Sequence, residues 1–256
     1  MESLDWSILG PAIVAGILVL STHVPLGQEV LKRGIIFIDL AIAQVAGLGV
    51  LTAGVFGFED NWWAVQVSAV GAALLASAGL SWSERRWPKL QEPLIGILFV
   101  LAATCSILLL AGNPHGAEHM KDLLVGQILW STWQSLIHMA VLYAVLLTLW
   151  YGFRQHVGHK AFYVIFAFAV TASVQFVGVY LVFASLIIPA LATRRLHGKP
   201  RLLAGYVLGI VAYVAGITLS AIFDLPTGAV TVWTMAMLAI AVGFWLGHKS
   251  GQTESA

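Results

Sequence analysis

Charge is what this sequence has least of. Only 10% of its 256 residues are Asp, Glu, Lys or Arg, while 59% are hydrophobic, and the mean hydropathy is +0.89. A water-soluble domain carries about a quarter charged residues, so a soluble globular protein is excluded. The small net charge of +1 gives no basic surface for nucleic acid. A single cysteine, Cys105, lies in an apolar run, which rules out an internal disulfide and a thiolate metal site within one chain. The phosphate-binding pattern G-x-x-x-x-G-K-[ST] is missing, and no polar stretch is long enough to fold as an ATPase. Any work driven by ATP therefore falls to another polypeptide. The opening "MESLDW" lacks the basic region of a cleaved signal peptide, so the first apolar run is expected to stay in the protein.

What the sequence does have is apolar runs of about twenty residues, each able to cross about 30 Å of hydrocarbon as a helix. They fall at Ser7–Gly27, Gly34–Gly57, Trp62–Trp82, Pro93–Gly112, Gly126–Trp150, Ala161–Val177, Gly178–Thr193, Leu202–Phe223 and Thr227–Leu246. The expected fold is an all-α polytopic transmembrane bundle of nine spans, or eight if one run is re-entrant, forming a single domain over 1–256 with no soluble part. The sixth and seventh runs are one stretch, too long for a single span and short for two, so Gly178 is expected to mark a reversal or a break.

Basic residues cluster in "LKRG", "SERRWPK", "FRQHVGHK", "TRRLHGKPR" and the tail, whereas "FEDN", "HGAEHMKD" and "FDLP" occupy the alternate loops. By the positive-inside rule the first set is cytoplasmic and the second external, with the N-terminus outside. Trp62, Trp63, Trp130, Trp150 and Trp245 lie near span ends, where an amphipathic ring suits the headgroup region.

Polar groups inside the spans carry the functional signal, since an ionised Asp at the centre of a spanning helix costs about 2.5–3.5 kcal/mol on insertion scales. In "RGIIFIDLAIAQVAG", Asp39 and Gln44 are the candidates for an ion path, against a salt bridge for Asp39 and an interhelical hydrogen bond for Gln44. His23 and His138 also lie within spans, as pathway ligands or as hydrogen bonders between helices. His115, Glu118 and His119 share one face of a helix at i, i+3 and i+4, a landing site for a divalent ion or a solvated loop. The same residues spell H-x-x-E-H, a short protease pattern here without a soluble catalytic domain. Glu92, just ahead of Pro93, is expected to cap its own helix. Four classes remain open on these grounds: the membrane subunit of an importer, an ion-coupled carrier or channel, an intramembrane enzyme, and a scaffold.

Four stretches, "LKRGIIFIDLAIAQVAGLGV", "EPLIGILF" with "LLVGQIL", "VQFVGVYLVFASLIIPALATRR" and "IFDLPTGAVTVW", resemble the permease family of ABC-type zinc, manganese and iron importers. The resemblance implies a non-enzymatic translocation subunit in a prokaryotic plasma membrane. It further implies a permease homodimer, a cytoplasmic ATP-binding subunit on each copy, and an extracytoplasmic metal-binding protein that delivers the cargo. No permanently bound cofactor is implied; zinc or manganese is carried, with zinc slightly ahead. The cytoplasmic segment from Pro189 to Lys199, with Arg194 and Arg195, is the expected contact with the ATPase, although those arginines also suit a purely orienting role. The family's pathway aspartate and histidine match Leu40 and Gln44 here, and Asp39 stands one position early. Asp224 matches the aspartate of "DLPTGA", facing the pathway mouth or capping the next helix.

Overall fold

In a computed structural model the described residues, 6–111, 113, 116–152 and 159–253, form nine α-helices and no strand; the side chains of 117, 119, 159, 160 and 244–253 are outside the description. The helices are α1 (Trp6–Arg33), α2 (Ile38–Val55), α3 (Trp62–Arg86), α4 (Gln91–Leu110), α5 (Gly116–Val125), α6 (Trp133–Gly152), α7 (His159–Ala192), α8 (Gly198–Phe223) and α9 (Thr227–Thr253). Seven are long and apolar enough to cross a membrane, and the stretch Thr227–Gly243 of α9 makes a shorter eighth. The two runs expected at 161–177 and 178–193 are one element, broken at Gly178, where φ is 75° and ψ 166°.

The break reverses the chain. Phe162, near the start of α7, lies under the Arg33 guanidinium at the cytoplasmic end of α1. Ser173 reaches His23, ten residues back along α1. Carried on straight, Leu186 would stand near the outer end of α1, about level with Pro11. Instead its backbone packs directly on Gly27, leaving no room there for a Cβ, and Pro189 lies against Gly205 near the start of α8. The first half of α7 thus rises antiparallel to α1 and the second half descends beside it, covering about 21 Å at 1.5 Å per residue. Both ends of α7 return to the basic side of the bundle, in agreement with the charge pattern.

Gly178 turns against Gly126, itself at φ 74°, and a Cβ on either glycine would collide with the other segment's backbone. The Gln127 N–H donates to the Phe176 carbonyl across this contact at 3.2 Å, satisfying a helix-end acceptor that lipid could not. This contact also corrects the expected start of the fifth span. Residues after Gly126 form a 3-10 turn, Ile128–Trp130, and α6 begins only at Trp133.

The buried core is formed by α1, α2 and α7, with α2 enclosed by α3, α4 and α7. Small residues bring the helices together, as is usual in a bilayer where apolar burial no longer discriminates lipid from protein. Gly49 accepts the backbone of Ser68 and Ala69, and Gly16 and Gly209 seat Tyr213 and Leu20 between antiparallel α1 and α8. At the cytoplasmic end a polar knot ties α3, α4 and α7. Gln91 Nε2 donates to the Leu80 carbonyl at 3.0 Å and to the Tyr163 hydroxyl at 3.2 Å. Ser83 Oγ donates to Gln91 Oε1, and the Tyr163 hydroxyl donates to Glu84 at 2.8 Å.

Candidate functional site

Asp39 sits in the first turn of α2 with none of its surface exposed, and neither carboxylate oxygen has a hydrogen-bond partner. A buried carboxylate without a partner is among the costliest groups a fold can hold. The salt bridge weighed for it is not made: among the described residues the ion pair is Arg33 with Glu29, at 2.9 Å. Its one compensation is the positive end of its own helix. Gln44, 4% exposed, lies further along the same helix, on the side shared by Leu40.

His23 is as deeply buried but fully engaged. Its Nδ1 lies 2.9 Å from the Val19 carbonyl and 3.1 Å from Thr22 Oγ1, and its Nε2 lies 3.1 Å from Ser173 Oγ. Assigning the proton to Nδ1 lets it donate to Val19, and Nε2 then faces the Ser173 hydroxyl, whose one proton is shared between the ring and the Ala169 carbonyl 2.7 Å away. The ring joins α1 to α7. Ser173→Ala is expected to cost about 1–2 kcal/mol of stability by orphaning Nε2, seen as a lower melting temperature of the purified chain without a change in transport selectivity.

His138 is exposed on the second turn of α6, with Nδ1 3.0 Å from the Gln134 carbonyl and its ring 6.3 Å from that of Trp62. Asp224 is exposed and ends α8 in the left-handed conformation at φ 50°, its N–H donating to Ser220. It closes the preceding helix; the next one is tied instead by Ser220 Oγ, 2.6 Å from Thr227 Oγ1. Glu118 is exposed in α5. His115 lies outside the described residues, as does the side chain of His119, so the external trio is described only at Glu118.

At the cytoplasmic end, Pro189 belongs to the last turn of α7, and its carbonyl accepts from the N–H and hydroxyl of Thr193. Arg194 and Arg195 are exposed on the turn that follows. Arg201, from the next helix, donates to the Ala190 carbonyl at 3.3 Å and so braces this turn from its far side. Arg201 has no recognisable pattern in the sequence; only the folded proximity of α7 and α8 reveals it.

Glu92 departs from its expected role. Its buried carboxylate faces the backbone N–H groups of Ile36 and Phe37, at the start of α2, without forming a hydrogen bond of good geometry. It therefore complements the dipole of a neighbouring helix, the one that carries Asp39 and Gln44.

A bundle of membrane-length apolar helices with cationic loops at one end, a braced turn among them and an unpartnered carboxylate within has the make-up of a multi-pass transport protein. The sequence matches the ABC 3 transport family over residues 5–162 and 151–246, and the chain belongs to that family. It is the non-catalytic membrane subunit of an ABC transporter, so H-x-x-E-H is no protease site here. Among curated relatives, the manganese transport system membrane protein MntC of Halalkalibacterium halodurans is 26% identical, over 98% of this chain and 91% of its own length. The high-affinity zinc uptake system membrane protein ZnuB of Haemophilus influenzae is 23% identical, over 92% of this chain and 96% of its own length. The fold is that of PsaBC from Streptococcus pneumoniae, solved in complex with Fab, with a TM-score of 0.76 at 21% identity over 93% of this chain and 91% of that one. An inward-facing metal-chelate type ABC transporter also shares it, with a TM-score of 0.72 at 15% identity over 91% of this chain and 85% of that one.

Proposed function

We propose that two copies of this permease carry a divalent transition-metal ion into the cytoplasm by alternating access, driven by separate ATP-binding subunits and supplied by an extracytoplasmic metal-binding protein. The observation that carries this reading is Asp39, a carboxylate held inside the bundle without a partner, in a chain whose named relatives include manganese and zinc transport proteins. The ion enters near His115, Glu118, His119 and Asp224, passes the Asp39 and Gln44 sector of α2, and leaves as the Pro189–Lys199 segment, with Arg194 and Arg195, responds to the ATPase. His23 and His138 are the remaining histidines of the spans, and of the two only His138 has a ring nitrogen with no hydrogen-bond partner among the described residues. A carboxylate and an amide offer oxygen, which suits manganese better than zinc. Manganese is accordingly the first cargo to test, with zinc the second.

Membranes containing this chain with its cognate ATPase and binding protein are expected to take up radioactive manganese or zinc only when ATP is supplied. Membranes containing the chain alone are expected to show no such uptake. Uptake by the purified chain driven by a proton gradient would replace this reading with an ion-coupled carrier.

A further inference from the structure

The seam between α3 and the start of α7 carries a groove of about 430 Å³. Ser77, Ala78, Ser81, Trp82 and Arg85 form one wall and Val164 part of the other. The small side chains open a trough that larger ones would fill. Ser77 turns its hydroxyl to the Tyr163 carbonyl, 3.3 Å away, so apart from Ser81 and the Arg85 end the trough is mostly apolar. The lining runs from Leu74 to Arg85, about 16 Å along the helix axis. That is close to half of the ~30 Å hydrocarbon core, the depth of one leaflet.

The charge at its mouth is one-sided. Arg85 is exposed and has no ion-pair partner among the described residues, and the adjoining Glu84 carboxylate accepts from the Tyr163 hydroxyl. Arg86 and Lys89 stand next to it, exposed on the same basic loop. Trp82 and Trp87 meet edge to face at 5.1 Å beside the mouth, at the level where indole rings favour the headgroup region.

We propose that this groove binds one anionic phospholipid of the cytoplasmic leaflet in each protomer. An acyl chain lies in the trough over Ala78 and Val164, and the phosphate pairs with Arg85. The apolar length, the small-residue floor and the unpaired guanidinium at headgroup depth fit this ligand together, and none of them depends on which ion is transported.

The full-length chain, reconstituted with equal amounts of phosphatidylglycerol and phosphatidylcholine, then extracted and weighed by native mass spectrometry, tests the assignment. The wild type is expected to retain phosphatidylglycerol about fivefold over phosphatidylcholine, the ratio given by about 1 kcal/mol per cationic side chain near an anionic surface. Arg85→Gln should bring that ratio to about one, and Ala78→Phe, at an exposed position filling the trough, should lower retention of both lipids. Arg86→Gln, outside the lining, should leave the ratio near the wild-type value. An unchanged ratio in Arg85→Gln overturns the proposal. So does an equal fall in Arg86→Gln, which would mean a diffuse surface field. Loss of pairing between protomers in Ala78→Phe at unchanged lipid retention would assign the groove to a second copy of the chain instead.

Discussion

Asp39→Asn is expected to reduce metal uptake at least tenfold while the amount of permease in the membrane and its assembly with the ATPase stay at wild-type levels. The argument begins with the missing partner. A carboxylate that stabilises a fold does so through an ion pair or hydrogen bonds, and Asp39 has neither. Replacing it with a neutral side chain of the same shape therefore removes a burial cost and sacrifices only the approach of its oxygens to the N–H groups of Asp39 and Leu40 in its own first turn. The purified variant should melt at the wild-type temperature or above it. A passing ion feels the change differently. Two unit charges about 4 Å apart at an effective dielectric near 20 attract by about 4 kcal/mol, and a divalent cation roughly doubles that. Much of this is offset by stripping water from the ion. Even about 1.4 kcal/mol of surviving difference is tenfold in rate. Stability and transport thus move apart, and their separation is the signature to look for. If Asp39→Asn lowers the melting temperature and uptake falls only in proportion to the protein lost, the residue is structural. If neither changes, the ion takes another route.

The second large effect is expected at the outer reversal. Gly178→Ala should abolish recovery of a monodisperse protein from detergent-solubilised membranes, as should Gly126→Ala. Two penalties coincide at each position. The backbone is left-handed, which costs a residue with a Cβ about 1 kcal/mol or more. The added Cβ would also strike backbone atoms of the opposite segment, which cannot rotate away as a side chain could. Losses above about 4 kcal/mol are the range in which marginal folds disappear. Gly71→Ala provides the control, since a Cβ there meets nothing within 4 Å and the helix gains an alanine. Size-exclusion profiles of the three variants should separate the two reversal glycines sharply from Gly71. A normal profile for Gly178→Ala would mean that the reversal is held by something other than this contact.

Most of the architecture was legible in the sequence because a bilayer imposes one-dimensional rules. Length and apolarity mark the spans, and loop charge marks the sides. Gly178 stood out because the apolar stretch around it fits neither one span nor two. The limits arose where tertiary contacts override the local pattern. The apolar run after Gly126 looked like the start of a span, yet its first residues are committed to the backbone of Phe176 and Gly178, and α6 starts later. Hydropathy also could not tell that α1 continues past Gly27 and through Pro25 to Arg33, where Glu29 and Arg33 pair along the last turn.

The polar residues were harder to read. Asp39 was legible by its cost, since a carboxylate in a span demands an explanation wherever it lies. His23 was not, because its chemistry depends on Ser173, far away in sequence and meeting it only through the rise of α7 beside α1. Glu92 looked like a cap of its own helix, and the neighbouring start of α2 that it faces exists only in the folded bundle. Arg201 was one cation among several until its contact with Ala190 separated it from the solvated ones.

The broken α7 has a further consequence for how the protein is made. The reversal at Gly178 depends on a partner segment at Gly126 that leaves the ribosome earlier, so an insertion machine handling the chain in order already holds that partner when residues 161–192 arrive. Threaded once through the bilayer as a single rod, that stretch would place Arg194, Arg195, Lys199 and Arg201 on the wrong side and invert everything after it. Correct topology of the last two helices is therefore decided late, by the cationic turn refusing export and by the two glycines finding each other. The carboxy-terminal third thus takes its orientation from a contact with a segment made before it.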